Sequence, residues 1–110
     1  MRIISGIHKG KIIRAPQSLP ARPTTDFAKE ALFNILQNRI DFESTKVLDL
    51  FAGTGNISIE FVSRGAASVT LVDISPDHLN CIKNFIKELD IETPLLFPQM
   101  VPTKFLTLML

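Results

Sequence analysis

The chain opens on two short β-branched runs, RIISGIH and KIIRA, separated by Lys9-Gly10, a pattern that predicts a hairpin with a tight turn. The next stretch, APQSLPARP, places prolines at 16, 20 and 23 and can neither continue a strand nor start a helix, so it is an extended connector. Thr24, Thr25 and Asp26 then offer an N-cap. Phe27, Ala28, Ala31, Leu32, Ile35 and Leu36 follow at helical spacing, which predicts a helix ending near Asn38 with this apolar face turned inward. KVLDLFAG is a short apolar run closing on glycine, the mark of a strand buried on both faces of a parallel sheet. NISIEFVSRG reads as a helix stopped by Gly65, and SVTLVD as a second buried strand. Ser75, Pro76 and Asp77 combine a cap, a proline at N1 and a first-turn acid ahead of Leu79, Ile82, Ile86 and Leu89 on one helical face. Strand, helix, strand, helix specifies a right-handed crossover and an open α/β sheet.

The tail, TPLLFPQMVPTKFLTLML, is apolar but interrupted by Pro94, Pro98 and Pro102, which argues against a membrane-spanning helix. A third strand around Leu95 to Phe97 fits the topology. At 110 residues, 45% apolar and 21% charged, with five glycines and seven prolines, the chain has the composition of one folded domain, not of a disordered or collagen-like one. The single cysteine, Cys81, permits neither an internal disulfide nor a zinc cluster, and the first residues lack the apolar core of a signal peptide, so a cytoplasmic location is expected.

A net charge of +1 conceals a division. Residues 1 to 40 carry seven basic side chains against two acidic ones, and residues 41 to 92 carry four against nine. A basic arm ahead of an acidic body points to a polyanion or to a plain solvated face. The chemistry-bearing stretch is VLDLFAGTGNIS, residues 47 to 58. Gly53 and Gly55 sit where strand turns into helix and allow backbone N–H groups to approach an anionic ligand. Asp73 lies twenty residues beyond Gly53 at the end of the next strand, the separation at which a carboxylate accepts ribose hydroxyls. The spacing is G-x-G-x-x-S, without the third glycine of a dinucleotide site. Asp49, four residues before Gly53, would repel a pyrophosphate but suits a ligand with a cationic end such as S-adenosylmethionine. Its alternative role is to cap the neighbouring loop.

VLDLFAGTGNISIEFVSRGA resembles motif I of the class I S-adenosylmethionine-dependent methyltransferases, and SVTLVD their ribose-binding second motif. MRIISGIHKGKIIRAP with ARPTTDFAKEALFNIL resembles the N-terminus of the bacterial small-subunit rRNA methyltransferase D family, which modifies the exocyclic N2 of a guanine in 16S rRNA. The likeness covers about residues 1 to 92, and Arg22 to Asp26, RPTTD, is its most specific element. Without the family, RPTTD is a helix cap after a proline turn. The resemblance implies a Rossmann-like α/β sheet preceded by a hairpin and a helix. It implies S-adenosylmethionine as cofactor, lined by Asp49, Phe51, Ala52, Gly53, Gly55 and Asp73, with Ile74 against the adenine and Arg22, Thr24 and Thr25 at the mouth. It also implies 16S rRNA or the 30S subunit as partner, touched by Arg2, Lys9, Lys11 and Arg14.

Such enzymes use a D/N-P-P-F/Y motif to accept the amine hydrogens and stack on the extruded base. No two prolines are adjacent in this chain, and Met100 or Val101 falls where an adenine-binding acid is usual, so no catalytic residue is assigned. The expected organisation is a basic arm and connector at 1–23, a cofactor-binding half-domain at 24–92 and a divergent tail at 93–110, inactive by itself. KVLDLF would then form an exposed sheet edge inviting self-association. Competing readings are an RNA-binding module with a vestigial cofactor site and a fragment of a nicotinamide-dependent oxidoreductase. His8 and His78 lack partners at metal-ligand or triad spacing and are expected to be exposed, no metal site is expected, and Cys81 is expected to pack. The phenylalanines are expected in the core.

Overall fold

The computed structural model describes residues 1–14 and 24–109; the connector and Arg22 lie outside these. The elements are helix α1 (Asp26–Leu36), a 3-10 turn (Phe42–Ser44), strand β1 (Lys46–Asp49), helix α2 (Asn56–Ser63), strand β2 (Ser68–Leu71), helix α3 (Pro76–Glu88), strand β3 (Leu95–Leu96) and helix α4 (Pro102–Met109). The sheet is parallel in the order β1-β2-β3, with Lys46 to Asp49 opposite Ser68 to Leu71 and Val69 opposite Leu95. The α/β architecture expected from the alternation of elements is present, including the third strand.

The helix punctuation follows the sequence closely. Thr25 caps α1 by accepting the Ala28 N–H at 3.2 Å. Gly65, with φ of 95°, ends α2 in the left-handed conformation that a side chain would resist, and Ser75 caps α3 ahead of Pro76. The core gathers Val62, Ala66, Val69, Leu71 and Ile82, while Ile3 and Ile13 of the N-terminal arm pack with Ile59, Cys81 and Phe85 on α2 and α3. Burial, and after it the charge of Glu88, push the Cys81 thiol above its ordinary value, as suits a packing residue.

Four expectations are corrected. The arm is not a tight hairpin at Lys9-Gly10: its antiparallel pairing is the single bridge Arg2 to Ile12. Ser5 to Gly10 form a wider turn, because Ile7 and His8 hydrogen-bond to Ser63 instead of to an opposing strand. Strand β1 is not buried on both faces: Lys46 and Leu48, which share one face, are exposed, and only Val47 and Asp49 on the other are part-buried. The apolar face of α1 points outward: Phe27 is 84% and Ile35 56% exposed, while Lys29 and Phe33 are buried. Phe33 enters an aromatic cluster with Phe42 and Phe61, ring centroids 6.1 and 4.7 Å away, capped by the Arg64 guanidinium 4.5 Å from its ring. That cluster admits one narrow stripe of α1, and Lys29, four residues before Phe33, shares it. Phe27 and Phe51, finally, are exposed and do not belong to the core.

Candidate functional site

The turn between β1 and α2 is built by hydrogen bonds that cross from one strand end to the other. Val72 N–H donates to the Asp49 carbonyl at 2.7 Å and Ala52 N–H to the Val72 carbonyl at 3.2 Å. Gly53 and Gly55 adopt φ of 53° and 80°, and Gly55 leaves no room for a side chain, since a Cβ would lie 2.8 Å from Ile82 Cγ1. Asp49 Oδ2 accepts the Ser58 hydroxyl at 2.6 Å and Oδ1 the Phe51 N–H at 3.2 Å, so the loop-capping role is one it performs. Asp73 reaches back to the first glycine: Oδ2 accepts the Gly53 N–H at 2.8 Å, and Oδ1 accepts the Ser75 N–H at 2.8 Å and faces His78 Nδ1 at 3.2 Å.

Thr24, Asp49, Phe51, Ala52, Gly53, Thr54, Asn56 and Ile57 enclose a cavity of about 160 Å³ at this turn. A larger, shallow depression of about 430 Å³ near Gln37 and Phe42 lies on another part of the surface and shares none of these residues. Five of the sequence candidates thus meet in one cavity, and Asp73 joins them through Gly53. Thr25 is spent on capping α1, Gly55 faces Ile82, and Ile74 is exposed beside Asp73. Arg2, Lys9, Lys11 and Arg14 are all exposed on the arm. His78 is a correction: its side chain is 11% exposed, drawn against Asp73 because the Ser75 cap places it on the first turn of α3. Asn56 and Thr54 escaped the sequence reading, although their places beside the two glycines were the available signal. Among the described residues no cluster of metal-binding side chains occurs, and no helix is long and apolar enough to cross a membrane.

The family described as conserved hypothetical protein 95 matches residues 1–106. This chain belongs to that family. Relatives include an uncharacterized methylase of Rickettsia prowazekii, 43% identical over 98 residues that cover 84% of this chain and 42% of the relative. Another is the ribosomal RNA small subunit methyltransferase D of Escherichia coli K12, 42% identical over 74 residues, 67% of this chain and 36% of the relative. Among solved structures, the Escherichia coli protein yhhF, titled as a candidate methyltransferase, superimposes with a TM-score of 0.81 at 28% identity, covering 96% of this chain and 55% of that one. A candidate methylase of Haemophilus influenzae gives a TM-score of 0.72 at 28% identity, covering 96% of this chain and 54% of that one. The chain spans less than half the length of these two curated relatives, and its α/β fold with a parallel three-strand sheet matches these solved structures.

In this family member Asp73 carries a measurable electrostatic signature. Burial raises its pKa, but the N–H groups of Ser75 and Gly53 and the His78 ring outweigh burial and hold the carboxyl below its ordinary 3.8. A depressed carboxylate stabilises the fold above its unfolded pKa of about 3.9, and that contribution is lost as pH falls through the lower folded value. Urea midpoints of the natural chain and Asp73→Asn are therefore expected to differ by a constant amount above about pH 5 and to converge below pH 4. A gap independent of pH down to pH 3 would show that these bonds do not favour the ionised carboxylate.

Proposed function

We propose that this chain is the cofactor-binding part of an S-adenosylmethionine-dependent methyltransferase acting on the exocyclic N2 of a guanine in 16S rRNA. The observation that carries the reading is the bond from Gly53 N–H to Asp73, which ties the acid that follows β2 to a glycine of the cavity wall. The donor set fits the cofactor. Asp73 supplies a carboxylate for ribose hydroxyls, Asp49 an acid for the cationic methionine end, and Phe51, exposed at the cavity, an apolar surface. When bound, the cofactor supplies an electrophilic methyl group on a sulfonium. Ile74, Thr24, Thr25 and Arg22 are proposed to complete the pocket, and the exposed Arg2, Lys9, Lys11 and Arg14 to neutralise rRNA phosphates.

Relatives named for rRNA methylation support the substrate class. The 110 residues contain no D/N-P-P-F/Y motif, so this polypeptide is proposed to bind cofactor without transferring the methyl group. Titration calorimetry with S-adenosylhomocysteine is the test. Saturable binding is expected, weakened at least tenfold by Asp73→Ala and unaffected by NAD. Absence of saturable heat would favour an RNA-binding module with a vestigial site, and competition by NAD would favour the oxidoreductase reading.

A further inference from the structure

Lys29 lies in a helix most of whose apolar residues face solvent, yet it is 1% exposed. Its ammonium donates to the carbonyl of Arg2 in the arm and to Oδ1 of Asn56 at 2.7 Å on the first residue of α2, and it forms an ion pair with Oε1 of Glu60, one turn further along α2, at 3.3 Å. Glu60, fully buried, continues the network. Its Oε1 accepts the Ile4 N–H at 2.8 Å, and its Oε2 accepts the Ser5 N–H at 3.1 Å and Arg64 Nε at 2.8 Å. Asn56 turns its other end to the Thr24 carbonyl, Nδ2 donating at 2.7 Å. One end of the cluster therefore holds the backbone of the basic arm, and the other end, Asn56 and Thr24, forms part of the cavity wall.

A buried ion pair is a poor way to gain stability, because desolvation offsets most of the attraction and an apolar pair of the same size often does as well. What an apolar pair cannot do is hold the arm, α1 with Thr24, and α2 in one register by directed bonds. We propose that Lys29, Asn56 and Glu60 are positioning residues that couple the arm to the glycine turn, so that cofactor and RNA each tighten the other's binding. The inference rests on the proposed function, taking the cavity as the cofactor site and the arm as the RNA contact. A ligand filling the cavity immobilises Asn56 and Thr24. Lys29 and Glu60 pass that order to the backbone of Arg2 to Ser5. RNA then meets an arm whose ordering has already been met, and linkage makes the effect reciprocal.

The test is hydrogen exchange at the Ile4 and Ser5 amides, which report the far end of the network. Saturating S-adenosylhomocysteine, with saturation established by calorimetry, is expected to slow both amides at least threefold in the natural chain. In Asn56→Ser, which keeps the Lys29 to Glu60 pair and is expected to melt within a few degrees of the natural chain, the slowing disappears. Lys29→Met, a residue outside the cavity wall, is expected to abolish it as well. An oligonucleotide of 16S rRNA sequence is expected to tighten S-adenosylhomocysteine at least threefold in the natural chain and not in either variant. Amides in the natural chain that ignore the saturating ligand overturn the coupling, as does unchanged slowing in folded Asn56→Ser. A natural chain that binds no S-adenosylhomocysteine overturns the proposed function instead.

Discussion

Glu60→Ala is expected to lose about 3–5 kcal/mol of folding stability, the usual cost of removing one member of a buried charge pair. The carboxylate is the shared acceptor for Lys29, Arg64 and the N–H groups of Ile4 and Ser5. Its loss leaves the Lys29 cation short of its counter-charge and two backbone donors without a partner, and a small domain has only about 5–15 kcal/mol to lose. Thermal melting should fall by roughly 12 °C or more. The double variant Lys29→Met with Glu60→Leu separates charge from geometry. It removes the Lys29–Glu60 pair and is expected to recover part of the loss, but not all, because Arg64 loses its counter-charge and the Ile4 and Ser5 N–H groups still lack an acceptor. A Glu60→Ala chain that melts within 2–3 °C of the natural one, roughly what a 0.5 kcal/mol surface change produces, would show that water reaches this cluster and replaces the carboxylate.

Gly6→Ala is expected to detach the arm from α2. Gly6 has φ of 90°, where a side chain is strained, and an added Cβ would lie 1.9 Å from the Ser63 carbonyl oxygen and 2.3 Å from its carbon. Those atoms belong to helix backbone and cannot swing aside as a side-chain tip could. Backing the arm away breaks the bond from Ile7 N–H to the Ser63 carbonyl at 2.8 Å, from His8 N–H to Ser63 Oγ at 3.0 Å, and from Ser63 Oγ to the Ser5 carbonyl at 2.7 Å. It also begins to expose Ile3 and Ile13, each worth about 1.5–3 kcal/mol when fully buried. Exchange at the Ile7 and His8 amides should accelerate by at least a hundredfold, with the urea midpoint falling in parallel. Gly10→Ala is the matched control: its φ of 85° is equally strained, but nothing lies within 4 Å of the added carbon, so its loss should stay near about 1–2 kcal/mol. Equal effects at the two glycines would mean that backbone strain, and not contact with Ser63, keeps position 6 bare.

The parts of the fold legible in the sequence are those set by local chemistry. Thr25 and Ser75 announce helix starts because their hydroxyls accept early N–H groups, and Gly65 announces a stop because it tolerates positive φ. Asp49, Gly53, Gly55 and Asp73 were visible for the same reason: each acts at a strand end or turn whose place follows from the alternation of elements. Their assembly is consistent with that spacing, since Gly53 N–H and Asp73 Oδ2 meet at 2.8 Å. His78 was read as exposed because periodicity says nothing about which polar neighbour a first-turn side chain will find.

The inward face of α1 was misread for a deeper reason. Phe27, Ala31, Leu32 and Ile35 form the better apolar stripe by composition, and amphipathicity turns such a stripe toward whatever core exists. Lys29 is buried instead because Glu60 and Asn56 of α2 and the Arg2 carbonyl of the arm, all distant from it in the chain, converge on its ammonium. Glu60, the one acid in α2 and flanked by Ile59 and Phe61, hinted at a buried counter-charge without naming its partner. The sequence by itself therefore determined the elements, their order and the glycine turn with its two acids, since these depend on bonds within a few residues or on a fixed crossover length. Only the tertiary structure decided which faces are covered, where the arm sits and which charges pair, because those outcomes depend on distances between segments that no local pattern encodes.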